Sequence, residues 1–337
     1  MTIDDKLNEY DVTEQVRVTD PQAVKREVIA LFNHLYPAEN TQQLTVAFDT
    51  FAALYEGHYP GYHACDTIYH DIQHTLDMTL SIARMIAGYE KQHDKQDALG
   101  PRRAKLGIIT ALFHDSGYIR KVSTDTLSNG AEYTSTHVSR SAQFMRQHFP
   151  QLGLGEYVNV ASQIVHLTGY EMEPDAVIVD DTRDRLIGCI VGTGDLMTQM
   201  ADRCYLEKCR DRLYPEFVLG GLACRTLSDG KELVVFASAL DLLYKTPSFY
   251  RVDVRKRLDF YFNKLYHYAA AFFDGDNLYM QQVEHNVRYL ERLIGDDRLE
   301  QLRRRAPDNH GIAVFPFDKV AQQEAKTNPK RSLIYNV

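Results

Sequence analysis

Apolar residues recur at helical spacing along almost the whole chain, and this pattern is the strongest constraint on its fold. In "DPQAVKREVIALFNHLY", Asp20 and Pro21 stand where a helix favours a cap and a first-turn proline, and Val24, Val28 and Phe32 follow at intervals of four. Similar windows cover Leu44 to Tyr55 and about 67 to 88, 102 to 114, 132 to 148, 155 to 167, 183 to 200, 204 to 218, 231 to 244, 249 to 273 and 277 to 294. No segment of convincing length alternates apolar and polar residues as a half-buried strand does. The sequence therefore predicts an all-α fold.

The chain has neither a low-complexity linker nor a repeat of fixed period, so we expect a single helical body. We place this domain at residues 20–305, between a polar N-terminal arm (1–19) and a C-terminal tail (306–337) that mixes Pro, Gly and polar residues.

Charge and composition narrow the classes of partner. The chain has 38 basic and 46 acidic residues, a net charge of −8, without a long basic run. We therefore expect no wrapping of nucleic acid and no binding to a membrane surface, whereas a small anionic substrate held by local cations or metals fits. The start "MTIDDKLNEYDVTEQ" is unlike a signal peptide, and five cysteines without a CxxC pair are typical of reduced thiols, so we expect a cytoplasmic protein.

The segment "YHDIQHTLDM" carries two histidines, His70 and His74, four residues apart. On a helix this spacing stacks both imidazoles on one face, with Asp77 nearly one turn further along. Alone, the pair is compatible equally with a metal site and with structural histidines.

A second motif, "ALFHDSGYIRK", has adjacent His114 and Asp115 at the end of an apolar helical run that Gly117 interrupts. A neutral nitrogen and a charged oxygen in one cleft suit divalent metals such as Mn, Mg, Fe or Zn, and a carboxylate can bridge two ions.

Three more polar residues lie in mostly apolar helical windows: His137, His166 and Asp195. A charge such as that of Asp195 in an apolar window needs a partner or a metal. Nitrogen and oxygen ligands on several helices can build a dinuclear site in a helical bundle. The candidate ligands, in chain order, are His74, His114, Asp115, His137, His166 and Asp195.

The order H…HD…H…H…D resembles the HD superfamily of metal-dependent phosphohydrolases, which implies an HD-domain helical bundle with a metal site in its core. Within it, "YHDIQHTLDM" is similar to the YHNxxHxxDV signature of class I cyclic-nucleotide phosphodiesterases, with Asp71 where the signature has asparagine. The resemblance implies that His70 is the general acid that protonates the leaving oxygen and that His74 is a metal ligand. It also implies that His114, Asp115 and Asp195 are ligands and that Asp115 bridges the ions.

This resemblance implies a metal-dependent phosphohydrolase, and more narrowly a phosphodiesterase that acts on a nucleotide or cyclic nucleotide through two divalent ions (Mn, Mg, Fe or Zn). We expect Lys121 and Arg140, together with Arg120, to contact the substrate phosphate, because they follow the motifs closely. The sequence leaves the oligomeric state open, a homodimer included.

Two other classes of function stay open. The same ligand order occurs in HD-type diiron oxygenases such as myo-inositol oxygenase, which would consume dioxygen when loaded with iron. A nucleotide-sensing regulatory module would bind its ligand without turnover.

Overall fold

A computed structural model describes residues 6–308 and 315–327 of the chain. Its α-helices are α1 (Pro21–Leu35), α2 (Gln42–Tyr55), α3 (Ile72–Gln92), α4 (Gly100–Phe113), α5 (His137–His148), α6 (Val158–Ile164), α7 (Thr182–Ala201), α8 (Tyr205–Lys208), α9 (Tyr214–Leu219), α10 (Ala239–Phe249), α11 (His267–Phe272), α12 (Leu278–Gly295) and α13 (Phe317–Thr327). Short 3-10 helices cover Ser116–Tyr118, Gly130–Tyr133, Phe149–Leu152, Gly155–Tyr157, Val165–Leu167, Pro174–Ala176 and Leu299–Gln301, and π-helical segments cover Cys209–Leu213, Tyr250–Val254 and Arg257–Tyr261. The chain is therefore mostly helical, as predicted.

Helix α3 is the centre of the bundle and packs against α1, α4, α7 and α11. The side chain of Asp71 caps it by accepting a hydrogen bond from the backbone N–H of His74 at 2.9 Å. All of its residues from 73 to 89 are buried, so the helix is covered on every side. Gly88 lets α3 and α11 come close together, because a Cβ atom at residue 88 would lie 1.8 Å from the carbonyl oxygen of Tyr268 in α11.

Helices α4 and α7 flank α3 and pack against each other. Glycines allow close approaches at both contacts of α7. A Cβ on Gly107 of α4 would lie 2.8 Å from Ile187 of α7, and a Cβ on Gly194 of α7 would lie 2.6 Å from Ile82 of α3. Helix α4 ends at Phe113, so the His114-Asp115 pair directly follows it at the middle of the bundle.

Two short strands depart from the all-α prediction. β1 (Cys224–Thr226) and β2 (Glu232–Val234) pair antiparallel, with Cys224 opposite Val234. The predicted helical window 231 to 244 was therefore wrong at its start, and its helix begins only at Ala239, where Ser238 supplies the cap. The strand residues are mostly exposed, so the hairpin does not build the core.

Both ends of the described chain pack against the bundle. Asp11 forms a buried ion pair with Arg84 of α3 at 2.7 Å. Asn8 donates to the carbonyl of Arg305 at 2.9 Å, and α13 packs against α9. The division of the chain into arm, domain and tail stays a prediction, and residues 309–314 and 328–337 of the predicted tail lie outside the described residues. Among the described helices, none combines the length and the apolar character needed to cross a membrane.

Candidate metal centre and its neighbouring histidine

Four predicted ligands converge at the centre of the bundle. His74 comes from the first turn of α3, Asp195 from α7, and His114 and Asp115 from the end of α4. His74 Nε2 lies 3.3 Å from Asp195 Oδ1 and 3.6 Å from Asp115 Oδ2. His114 Nε2 lies 3.0 Å from Asp115 Oδ2 and 3.8 Å from Asp195 Oδ1. The result is a compact group of two imidazole nitrogens and two carboxylates, all of them buried.

Asp115 faces histidines with both of its carboxylate oxygens. Oδ2 points to His74 and His114, whereas Oδ1 lies 3.7 Å from His137 Nε2 at the start of α5. Gly117 allows α5 to approach this turn, because it has no side chain that would meet the backbone of His137. Its N–H donates to Ser141 Oγ of α5 at 2.8 Å. The two oxygens of Asp115 thus face different histidines, Oδ2 facing His74 and His114 and Oδ1 facing His137.

Backbone carbonyls fix the tautomers of two of these histidines. His114 Nδ1 lies 2.8 Å from the carbonyl of Ala111, and His137 Nδ1 lies 2.6 Å from that of Thr134. A carbonyl oxygen only accepts, so Nδ1 carries the proton in both rings and the lone pair of a neutral ring is on Nε2. Metal-ligating histidines are held in the same way.

The electrostatics of the group favour a cation. Burial acts to raise the pKa of Asp115, but His114, His70 and His137 outweigh it and hold this pKa well below its ordinary value. Burial acts to lower the pKa of His114, yet the charge of Asp115 raises it to about 9. His114 Nε2 and Asp115 Oδ2 are fully buried and not aligned for a hydrogen bond with each other or with another group of the described chain. Without an added proton or cation, these lone pairs would face each other, which is costly in a buried site.

The donor set therefore fits a divalent metal ion. His74, His114 and Asp115 bring one ligand atom each to within 4.8 Å of one another, and Asp195 Oδ1 adjoins both imidazoles. Mixed nitrogen and oxygen ligands suit Mn, Fe or Zn.

His70 lies beside this group but not on the helix. The sequence predicted a helical turn that links His70 with His74, whereas α3 begins at Ile72 and Asp71 is its cap, so this prediction was wrong. The His70 ring centroid nevertheless lies 5.9 Å from that of His74 and 6.1 Å from that of His137. The ring of Tyr118 stacks on both imidazoles, with its centroid 4.5 Å from that of His70 and 4.4 Å from that of His137.

Glu216 holds His70 in place, and sequence reasoning missed it. Its Oε2 lies 2.5 Å from His70 Nδ1, while its Oε1 accepts from the backbone N–H groups of Ile68 at 2.7 Å and Tyr69 at 2.6 Å. Its side chain is fully buried, and His70 is 16% exposed. A glutamate in the otherwise apolar helix "YPEFVL" (α9) was the available signal.

The Glu216 carboxylate also changes the protonation of His70. Burial acts to lower the pKa of this imidazole, but the charge and hydrogen bond of Glu216 more than compensate and raise it above its ordinary value. His70 is thus a buried histidine biased toward its protonated form, beside two carboxylates that further favour the charge.

His166 is not brought into the group. It lies in the turn Val165–Leu167, and no carboxylate oxygen of the described residues comes within the 4 Å of an ion pair. Its Nδ1 is buried without a hydrogen-bond partner in the described structure, and burial lowers its pKa. Its assignment as a ligand stays a prediction.

The predicted phosphate contacts are largely engaged elsewhere. Arg140 donates to Asp125 and to the carbonyls of Gly117 and Ile119, and its guanidinium stacks on Tyr133. All three of its nitrogens thus have acceptors in the structure, and its contact with a substrate phosphate stays a prediction.

Arg120 and Lys121 also have partners. Arg120 pairs with Asp66 at 2.7 Å, and the exposed Lys121 ammonium donates to Gln147 at 3.0 Å. The structure brings neither cation into an ion pair with the acidic residues of the metal group within the described chain.

A comparison of the chain with models of protein families finds no match, and a search among curated proteins finds no significantly similar sequence. The structure thus shows a largely helical protein with a buried His-His-Asp group that could hold a metal ion.

Proposed function

We propose that the protein is a metal-dependent phosphohydrolase, more narrowly a phosphodiesterase-like enzyme whose substrate is a small phosphate ester such as a nucleotide or cyclic nucleotide. One observation carries the proposal: a histidine biased toward protonation, His70, is held by the buried Glu216 directly beside a group of metal-ligand type. Hydrolysis of a phosphate ester needs this combination, because charge develops on the phosphoryl oxygens while the leaving oxygen requires a proton.

The ligands divide into two sets in this proposal. His74, His114, Asp115 Oδ2 and Asp195 would hold the first divalent cation, and Asp115 Oδ1 with His137 would hold the second, with His166 as a further expected ligand. Such cations, when bound, lower the pKa of a water molecule and polarise phosphoryl oxygens.

His70 supplies the proton. Its Nδ1–H is engaged by Glu216, so Nε2 is the ring nitrogen that remains to exchange a proton with a substrate. A hydroxide attacks phosphorus and forms the new phosphorus–oxygen bond. As the bond from phosphorus to the leaving oxygen breaks, its electron pair goes to that oxygen, which takes the Nε2 proton of His70. The Glu216 carboxylate stabilises the charged imidazolium before the transfer, and Tyr118 keeps the ring in plane by stacking.

This role of His70 favours hydrolysis over the oxygenase alternative, since an oxygenase has no evident need for a proton donor of this kind. A sensing module has no need for it either, because binding alone requires no proton transfer.

The test is a reconstitution experiment on the full chain. Protein stripped with a chelator and reloaded separately with Mn, Mg, Fe or Zn is assayed on cyclic nucleotides, linear dinucleotides, nucleoside phosphates and bis(p-nitrophenyl) phosphate, with dioxygen monitored. We expect metal-dependent release of an alcohol or nucleoside monophosphate without oxygen uptake. Oxygen consumption by the iron form would favour the oxygenase, and absence of turnover with every metal and substrate would contradict the proposal.

A further inference from the structure

A buried arginine without an acidic partner lies in a segment that packs against α7. Three arginines in the described structure are at least nine-tenths buried: Arg84, Arg212 and Arg257, with 3%, 5% and 5% of their surface exposed. Arg84 pairs with Asp11 at 2.7 Å, and Arg212 pairs with Asp71 at 3.2 Å. Arg257 has no ion pair with any acidic residue of the described chain, and its Nη1 is fully buried without a hydrogen-bond partner there.

The ring of Tyr170 is the neighbour of this guanidinium. The carbon at the centre of the guanidinium lies 3.9 Å from the ring centroid of Tyr170. Stacking on an aromatic face stabilises a cation but leaves its N–H donors without acceptors. A buried guanidinium in this state is costly to the fold unless an anion joins it.

The segment that carries Arg257 packs against α7, the helix that carries the candidate ligand Asp195. The π-helical segment Arg257–Tyr261 packs against α7, and Phe262 directly after it contacts Gly192, where a Cβ would lie 2.8 Å from its ring. Gly192 precedes Asp195 by nearly one helical turn. π-Helical insertions are rare and frequently occur at functional sites.

Tyr170 connects Arg257 with the same site. Burial raises the pKa of Tyr170 to about 12, Arg257 opposes the shift, and the negative charge of Asp195 adds to it. Tyr170 is nevertheless 58% exposed to solvent. The exposed ring of Tyr170 thus covers the buried guanidinium of Arg257 and lies within electrostatic range of Asp195.

We propose that Arg257 binds a phosphate oxygen of the substrate at the edge of the metal centre, with the Tyr170 ring covering its guanidinium. The planar fork of N–H donors matches two oxygens of a phosphate, which a lysine does not do. The identification of the anion as a substrate phosphate rests on the proposed function. The anion site itself rests only on the unpaired guanidinium of Arg257. Unlike the guanidinium of Arg257, that of Arg140 already has carboxylate and carbonyl acceptors.

The first test measures anion binding without turnover. Inorganic phosphate is titrated by calorimetry into the full chain kept metal-free with a chelator, as wild type, Arg257→Gln and Arg257→Lys. Arg255→Gln is the matched control, because Arg255 lies in the same region but pairs with Asp259 at 2.7 Å. We expect at least tenfold weaker binding in Arg257→Gln, an intermediate loss in Arg257→Lys, and a change below twofold in the control.

Equal phosphate affinity in wild type and Arg257→Gln, or no binding by wild type, would overturn the inference. If circular dichroism shows that Arg257→Gln does not fold, the phosphate affinity of Arg257→Lys is the test, because this variant retains the positive charge. A phosphate affinity of Arg257→Lys equal to that of wild type would overturn the assignment of Arg257.

The second test uses the metal-loaded enzyme and identifies which phosphate is bound. If Arg257 holds the phosphate that is cleaved, Arg257→Gln raises KM equally for bis(p-nitrophenyl) phosphate and for a nucleotide ester with an additional terminal phosphate. If it holds a second phosphate, KM rises only for the nucleotide. Arg257-dependent phosphate binding without turnover of any ester would contradict the proposed function and leave the anion site standing, whereas turnover with unchanged KM for both esters would contradict the anion site alone.

Discussion

Glu216 Oε2 and His70 Nδ1 lie 2.5 Å apart, although the two residues are separated by 146 positions in the chain. This contact joins the loop before α3 to α9, and Glu216 also accepts from backbone N–H groups of that loop. The position and the protonation of His70 therefore both depend on a residue outside the predicted motifs.

Replacing Glu216 with glutamine is expected to change the pH dependence of turnover. Glu216 raises the pKa of His70 in the folded protein, so the active protonated form persists above the ordinary histidine pKa and is lost as the pH rises through the raised value. Glu216→Gln removes the charge, which lowers this pKa, and the alkaline limb of kcat/KM should move to lower pH. Activity should thus fall more at pH 8 than at pH 6, and the exposed Glu156→Gln is the control. An unchanged pH profile would contradict this role of Glu216.

Asp115→Ala is expected to remove the bound metal. Asp115 is the carboxylate that faces His74 and His114 with one oxygen and His137 with the other, so its loss weakens both positions. Metal content measured by plasma mass spectrometry should fall from as many as two ions per chain toward zero. Asp229→Ala, in an exposed turn, should keep the wild-type content. Full occupancy and activity in Asp115→Ala would rule out the dinuclear arrangement.

Gly117→Ala should destabilise the fold and the second metal position together. A Cβ at residue 117 would lie 1.8 Å from the carbonyl oxygen of His137, so α5 must shift. We expect a loss of about 1–3 kcal/mol in the free energy of unfolding, as for other overpacked sites. Denaturant titration measures this loss, and Gly295→Ala, with open space around it, should be neutral or slightly stabilising. Equal stability of the two variants would show that α5 tolerates the shift.

Asp11→Asn tests whether the N-terminal arm stabilises the bundle. The variant leaves Arg84 buried without a carboxylate, which should cost about 3–5 kcal/mol of unfolding free energy at pH 7. The pKa of Asp11 is lowered, so its contribution is complete above the ordinary aspartate pKa and is lost as the pH falls through the lower folded value. The difference between wild type and variant in urea titrations should therefore narrow below about pH 4.

The exposed pair of Lys25 with Asp49 provides the control for that experiment. Asp49→Asn should change stability by at most about 1 kcal/mol at any pH. A change in unfolding free energy as small as this in Asp11→Asn would mean that the ion pair with Arg84 does not stabilise the packing of the arm on the bundle.

Local sequence patterns predicted most of the helices, and four of the six candidate ligands lie together in the structure, whereas their role as ligands stays a prediction. His74, His114, Asp115 and Asp195 lie on or directly after long apolar helices, so their burial follows from the helical period. The predicted helical window began at about residue 67, whereas α3 begins at Ile72 because Asp71 caps it. Apolar residues such as Ile68 continue the helical spacing before the cap, so periodicity alone does not locate the start of the helix.

Contacts between distant segments could not be predicted in this way. Glu216, which holds His70, and Arg257, the proposed phosphate contact, lie in short or π-helical segments late in the chain, where the apolar pattern is weak. Arg140 looked suitable for phosphate because it follows His137, but the acceptors that engage it, such as Asp125, come from a loop whose path periodicity does not define.

Comparing His70→Asn with His74→Ala on two esters with different leaving groups distinguishes the proposed acid from the proposed metal ligand. His74→Ala removes a ligand and should lower metal occupancy and turnover on both esters. His70→Asn should keep the metal and slow hydrolysis of a nucleotide ester by about 10²- to 10⁴-fold, the usual contribution of a positioned general acid. The loss of activity in His70→Asn should be much smaller for a p-nitrophenyl ester, because p-nitrophenolate departs without a proton. Equal losses on the two esters with intact metal content would contradict the role of His70 as the acid.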